Sequence, residues 1–216
     1  MPGAQHHREN NAMSKPSVRY FDFAGSRGEE VRLALVVSGV DFNDVRISRE
    51  AFTQMKPDLP FGSLPVFEVP GEGVFAQSNA ILRLIGRLHG IHPEDPIVAA
   101  RHDAVLEASE DLRQRISATS RIKDAAARKA ARQELVDTII PIWAKGIEAL
   151  IGEGPFVGGT RPAVADIKIH ILARALNNGN FDDIPTTVLD GFARIDAVSS
   201  GVASHPAVVA WSASRS

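Results

Sequence analysis

The sequence has no cysteine among its 216 residues, which excludes disulfides, thiolate metal sites and a cysteine nucleophile. Any thiol chemistry must use a sulfur that a ligand brings. Aromatics make up only 6%, with one tyrosine and two tryptophans, so a phenol or indole with a chemical task has few candidates. Neither charge dominates: 24 Lys and Arg stand against 26 Asp and Glu, a formal net charge of −2. That balance gives no electrostatic case for nucleic acid or an anionic membrane as partner. The apolar runs, such as Leu33 to Val37, fall far short of the roughly 20 residues a membrane span needs. A soluble, cytoplasmic chain is expected. The first sixteen residues, MPGAQHHRENNAMSKP, lack the apolar centre of a secretory signal and read as a disordered tail, with Met13 as an alternative start. The His6–His7 pair in that tail reads as solvated, and no metal is expected.

What is present is 44% apolar residues, enough for one large core or two modest ones at this length, and two domains fit better. From Ser17 the hydrophobic period switches between two and 3.6, in the order strand, helix, strand, helix, hairpin, helix. VRYFDF reads as the first strand and RGEEVRLALVVSG as a helix, with Glu29 and Glu30 in its first turn and Gly39 at its end. DVRI is a short second strand. LPVFEVPGEGVFAQ holds two apolar runs around Pro70-Gly71-Glu72-Gly73, a hairpin signal. SNAILRLIGRLHG follows as a helix with Ile81, Leu84, Ile85 and Leu88 on one face. This α/β unit spans 17–92. Residues 93–97 read as a linker, and 98–216 as an all-helical domain with long helices over 98–120 and 122–151, the second bent at Pro141. Asn177-Asn178-Gly179-Asn180 ends a later helix and His205-Pro206 opens the last.

The most specific cluster is FGSLPVFEV followed by AQSNAI, between Phe61 and Ile81. It resembles the glutathione-site signature of the Tyr-type glutathione S-transferases of the sigma, pi, mu and alpha classes, the sigma class above all. The resemblance implies a thioredoxin-like first domain, an all-α second domain, and glutathione as co-substrate. It implies that Leu64-Pro65 is a cis-proline turn that offers its backbone to the peptide as an added strand. Gln77 and Ser78 open a helix whose free N–H groups suit the γ-glutamyl carboxylate. Lys56 falls where a lysine meets the glycyl carboxylate, and Phe52 where a tryptophan often stands. Phenylalanine lacks the indole donor, and Ser63 stands where glutamine is usual, so two polar contacts are absent.

In these classes a tyrosine at the end of the first strand donates its hydroxyl to the glutathione sulfur. Tyr20 is the only tyrosine, but a gap-free alignment of RGEEVRLAL puts Phe21 at that place. A one-residue loop insertion near Gly25-Ser26 restores Tyr20, and loops accept insertions more readily than strands accept a slip of register. Ser26 is the fallback hydroxyl. A two-unit fall from a free thiol pKa of about 8.5 corresponds to roughly 2.7 kcal/mol.

The resemblance further places Arg27, Arg113, Ile116 and Trp211 around a second, apolar substrate pocket. It places Glu107 against glutathione held by the partner subunit of a homodimer, and Phe61 as an aromatic anchor at the dimer interface. In FVGGTRPAVADIKIHIL, Asp166 completes half of a helix-start capping box while Ala163 leaves the hydroxyl half empty. The activity implied is attack of glutathione thiolate on a hydrophobic electrophile, with a detoxifying role. Isomerisation or hydroperoxide reduction with glutathione, or a non-catalytic ligand carrier, are the alternatives.

Overall fold

The computed structural model describes residues 15–215. The tail histidines and Met13 lie outside the described residues. Lys15 and Pro16, expected within that tail, are anchored: Lys15 pairs with Asp41 at 2.8 Å, and the Asn43 N–H donates to the Pro16 carbonyl at 2.8 Å.

Four strands form one mixed sheet in the order β2-β1-β3-β4: β1 Ser17–Phe21, β2 Asn43–Ile47, β3 Val66–Val69 and β4 Gly73–Ala76. β1 and β2 are parallel, joined by the helix α1 Ser26–Val37, while β3 runs antiparallel to both β1 and β4. Parallel neighbours need such a crossover, whereas β3 and β4 need only their tight turn. α1 ends as its sequence suggests. Gly39 takes a positive φ of 67°, and the N–H groups of Gly39 and Val40 close back on the Val36 and Leu35 carbonyls, the Schellman closure that a glycine permits. α2 Arg49–Met55 follows β2, with none of its residues buried, and is N-capped by Ser48, which accepts from Ala51 N–H at 3.1 Å.

α3 Ser78–His89 packs beside α1. Its buried apolar face is Ile81, Leu82 and Ile85, whereas Leu88 is exposed. Position 88 stands only about 20° from position 81 around the helix, so the face is the expected one, and Leu88 is exposed at its very end, one residue before the last of α3. α4 Pro96–Thr119 begins inside the expected linker, since Asp95 accepts from Ile97 and Val98 N–H, both at 2.9 Å, with proline at the first helical position. The second long helix starts late, at Ala125, where Asp124 caps Ala127 N–H at 2.7 Å. It then runs as α5 Ala125–Glu134, a π-helical turn Leu135–Ile139, and α6 Ile140–Ile151. The bend at Pro141 takes this form because proline cannot donate to the ladder and its ring crowds the carbonyl four residues back.

α7 Val164–Asn177 is the central helix of the second domain, packed on α4, α8 and α1 at once. Residues 178–192 are turns and not helix, as the run NNGNFDDIP would dictate. α8 Ala193–Ala203 and α9 Pro206–Ala213 close the fold, and α9 also rests on α1. A single apolar core continues through both domains, from Val18, Leu33 and Ile81 to Leu106, Ile147 and Ile171.

Candidate active site

The site is built where β1 ends. Residues alternate across a strand, and here Val18 and Tyr20 are buried under α1 while Phe21 turns to the other side and meets the Phe52 ring of α2 at 5.3 Å. The Tyr20 ring lies against α1 between Gly28 and Arg32. A Cβ built on Gly28 would stand 2.0 Å from Tyr20 Cδ1, and the Arg32 guanidinium sits 5.9 Å from the ring centre. Arg32 is itself fully buried. It donates to Asp44 at 2.7 Å and to the carbonyls of Phe21 and Phe23, both at 3.2 Å, which ties down the loop after β1. Ser26 opens α1 with a positive φ of 56°.

Beside this point a cleft of about 570 Å³ separates the domains, and its wall includes Arg27, Leu64, Pro65, Gln77, Ser78 and Glu107. The Leu64-Pro65 bond is cis. Gln77 has φ 69° and ψ 109°, a conformation rarely seen outside glycine and one that clusters at functional sites. No side chain caps α3, so the N–H groups of its first turn are left for an anion. Phe61, 79% exposed, stands at the cleft rim. Lys56 lies 5.9 Å over the Phe52 ring, with its stem along Gly62, outside the cleft wall.

Glu107 accepts from Asn79 Nδ2 at 3.0 Å and from Arg83 at 2.5 Å, so within its own chain it is already engaged. Arg27 spans the domains, donating from Nε to Glu110 of α4 at 2.9 Å. Behind it Lys168 of α7, wholly buried, donates to Glu30 at 2.9 Å, Asn79 at 3.0 Å and Glu110 at 3.0 Å. Arg113 pairs with Glu30. Burial pushes the Glu30 carboxyl up, but Arg113 and Lys168 beside it hold it down at about 2. Burial likewise opposes ionisation of Glu110, and Lys168 and Arg27 lower its pKa.

Seven of the expected residues therefore meet around one cleft: Arg27, Phe61, Leu64, Pro65, Gln77, Ser78 and Glu107. Phe52 and Lys56 flank it. Tyr20, 5% exposed, lies behind the wall. Three residues expected around a second-substrate pocket have other surroundings. Ile116 is core; Arg113 is inside the ion cluster; Trp211 donates to Glu29 at 3.0 Å and packs on Phe42 at 5.5 Å. Arg113 and Ile116, which the resemblance placed at that pocket, turn inward because α4 packs on α7. Glu30, Asn79, Glu110 and Lys168 carry the interior of the site and were not read from the sequence. The one available signal was Lys168 itself, a charge inside the apolar run DIKIHIL, since a buried lysine needs a partner.

Residues 16–87 match the family described as "Glutathione S-transferase, N-terminal domain", and residues 110–215 match "Glutathione S-transferase, C-terminal domain". The chain is 41% identical over 100 residues to Glutathione S-transferase 1 of Ascaris suum, a stretch covering 46% of this chain and 48% of that protein. It is 25% identical over 199 residues to the Hematopoietic prostaglandin D synthase of Gallus gallus, covering 92% of this chain and 96% of that one. Among solved structures, the prostaglandin synthase D of Nilaparvata lugens superposes with a TM-score of 0.83 at 26% identity, over 94% of this chain and 99% of that one.

Proposed function

This chain belongs to the glutathione S-transferase family and is an enzyme of that kind, and we propose that the Tyr20 hydroxyl activates the thiol of glutathione bound in the interdomain cleft, for attack on an apolar electrophile. The observation that carries the reading is the meeting, in one cleft, of the Leu64-Pro65 turn and the uncapped start of α3 at Gln77 and Ser78. An extended backbone and an anion-binding helix end are what a tripeptide with a free carboxylate requires. In this reading Leu64 pairs with the cysteinyl backbone, Ser78 and the first-turn N–H groups take the γ-glutamyl carboxylate, and Lys56, beside Phe52, reaches the glycyl carboxylate. No metal takes part.

Tyr20 is favoured over Phe21 by the side of the sheet each occupies, since Tyr20 faces α1 and the domain junction while Phe21 faces α2. Ser26 remains the alternative donor. A hydroxyl that donates to sulfur favours thiolate over thiol, which is the whole of the activation. Arg27, the one residue expected around a second-substrate pocket that the cleft wall includes, borders the place of the hydrophobic electrophile in this reading. We place the enzyme in the cytoplasm as a detoxifying homodimer, with Phe61 as the anchor and Glu107 facing glutathione of the partner subunit. The test is Tyr20→Phe: conjugation of a reactive aryl halide should fall by about 10²-fold or more, with glutathione binding changed less than about threefold. Unchanged turnover overturns the assignment and moves it to Ser26.

A second reading, glutathione-dependent isomerisation, is favoured by the likeness to prostaglandin D synthases over almost the full chain. A product of unchanged mass, formed only with glutathione present, distinguishes it.

A further inference from the structure

Behind the cleft, two carboxylates meet three cations. Glu30 is paired with Arg113 and Lys168, and Glu110 with Arg27, Lys168 and Arg113, the last at 3.6 Å. Glu30 and Lys168 are wholly buried, and Arg113 is 7% exposed. The cluster joins α1, α4 and α7, and so both domains. If its task were only to hold the domains together, equal numbers of each sign would serve best, because an unmatched charge inside a protein is costly. The geometry shows a second anomaly: the buried Nη1 of Arg113 makes no hydrogen bond, its ion-pair partner Glu110 standing 3.6 Å away. A buried guanidinium nitrogen without a hydrogen bond keeps donor capacity for a further acceptor.

The groups facing Arg113 are few. Glu30 of α1 and Glu110 of its own helix are anionic, Lys168 of α7 and Arg27 of α1 are cationic, and the Tyr20 phenol of β1 comes near enough to bear on its charge. Burial alone would lower the Arg113 pKa, and Glu30, Glu110 and Tyr20 together leave it raised. Arg83, Asp103 and Glu107 form a neighbouring set, more open to solvent, reached only through Asn79.

We propose that Arg113 is a positioning residue for thiol activation: the surplus positive charge of Arg27, Arg113 and Lys168 over Glu30 and Glu110, with an Arg113 Nη1 that makes no hydrogen bond, stabilises the anion formed when glutathione ionises beside Tyr20. The S–H bond breaks heterolytically, the electron pair stays on sulfur, and the proton passes to solvent water. The inference rests on the Tyr20 reading of the cleft.

The experiment titrates the ultraviolet absorbance of the thiolate of glutathione bound at saturation to the full chain. Wild type should ionise well below the free thiol value of about 8.5. Arg113→Met should raise that pKa by about one unit, the direction that loss of a nearby opposite charge gives, and Arg113→Lys should recover most of it. Glu30→Gln enlarges the surplus and should lower the pKa, whereas mere loosening of the domain junction would raise it in both neutral variants. A depressed wild-type pKa unmoved by Arg113→Met, or raised by Glu30→Gln, overturns this proposal and leaves the Tyr20 reading standing. A wild-type thiol that titrates like free glutathione overturns both.

Discussion

Substituting Gly28 by alanine sets two known effects against each other, and the structure says which wins. In the first turn of a helix alanine is favoured over glycine by up to about 1 kcal/mol. At position 28, however, the new Cβ would stand 2.0 Å from Tyr20 Cδ1, 2.1 Å from Cγ and 2.6 Å from Cβ. Carbon atoms rest at about 3.5–4.0 Å, so something must move by roughly 1.5 Å. Because Tyr20 Cβ is among the obstructing atoms, turning the ring about χ1 does not clear the overlap, and α1 and β1 must separate. Overpacking of this kind costs about 1–3 kcal/mol, occasionally more. Gly28→Ala should therefore be less stable by about 2 kcal/mol, seen as a lower urea midpoint at unchanged slope. Conjugation should fall by up to about 10²-fold, since a displacement near 1 Å is enough for that. Gly146, inside α6 with nothing within 4 Å of its would-be Cβ, is the control: Gly146→Ala should gain about 0.5–1 kcal/mol. If Gly28→Ala gains stability as Gly146→Ala does and keeps full activity, the close packing of α1 on Tyr20 is refuted.

Other substitutions probe separate links. Ala163 has no side-chain acceptor, although Asp166 accepts from the N–H groups of Ala163 at 2.8 Å and Val157 at 2.7 Å; Ala163→Ser should raise the unfolding free energy by about 1 kcal/mol, and no change in the midpoint would show that the site cannot host the cap. His102 is buried with neither ring nitrogen partnered, and burial, helped by His92, lowers its pKa to about 4. The unfolded chain binds that proton near pH 6.5, so the stability from keeping His102 neutral is present above 6.5 and lost as pH falls toward 4. The stability difference between wild type and His102→Gln should accordingly shrink across that window, and a constant difference would contradict the buried neutral ring. Phe61→Ser, which removes a 79% exposed aromatic, should weaken self-association by about 30-fold or more in sedimentation; an unaltered dimer would place the interface elsewhere.

Much of this was written locally. The period change at the domain junction, the Gly39 closure, the proline starts at 96 and 206 and the Leu64-Pro65 and Gln77-Ser78 elements of the cleft are set by residues within a few positions of one another, which is the range over which hydrogen-bond caps and side-chain periods act. The register of Tyr20 rested there only on the readiness of loops to accept an insertion, because a loop insertion and a strand slip leave the same string of letters. Only the packing of α1 on β1, possible because Gly28 has no side chain, put the phenol on the inner side. The same holds for the ion cluster. Lys168 and Glu30 are 138 residues apart, and nothing in either neighbourhood names the other. Their pairing, the inward turn of Arg113 and Ile116, and the docking of Trp211 on Glu29 follow from how α1, α4, α7 and α9 press together. Local chemistry chose the elements and marked the cleft, whereas the surplus charge behind it exists only once the helices have met.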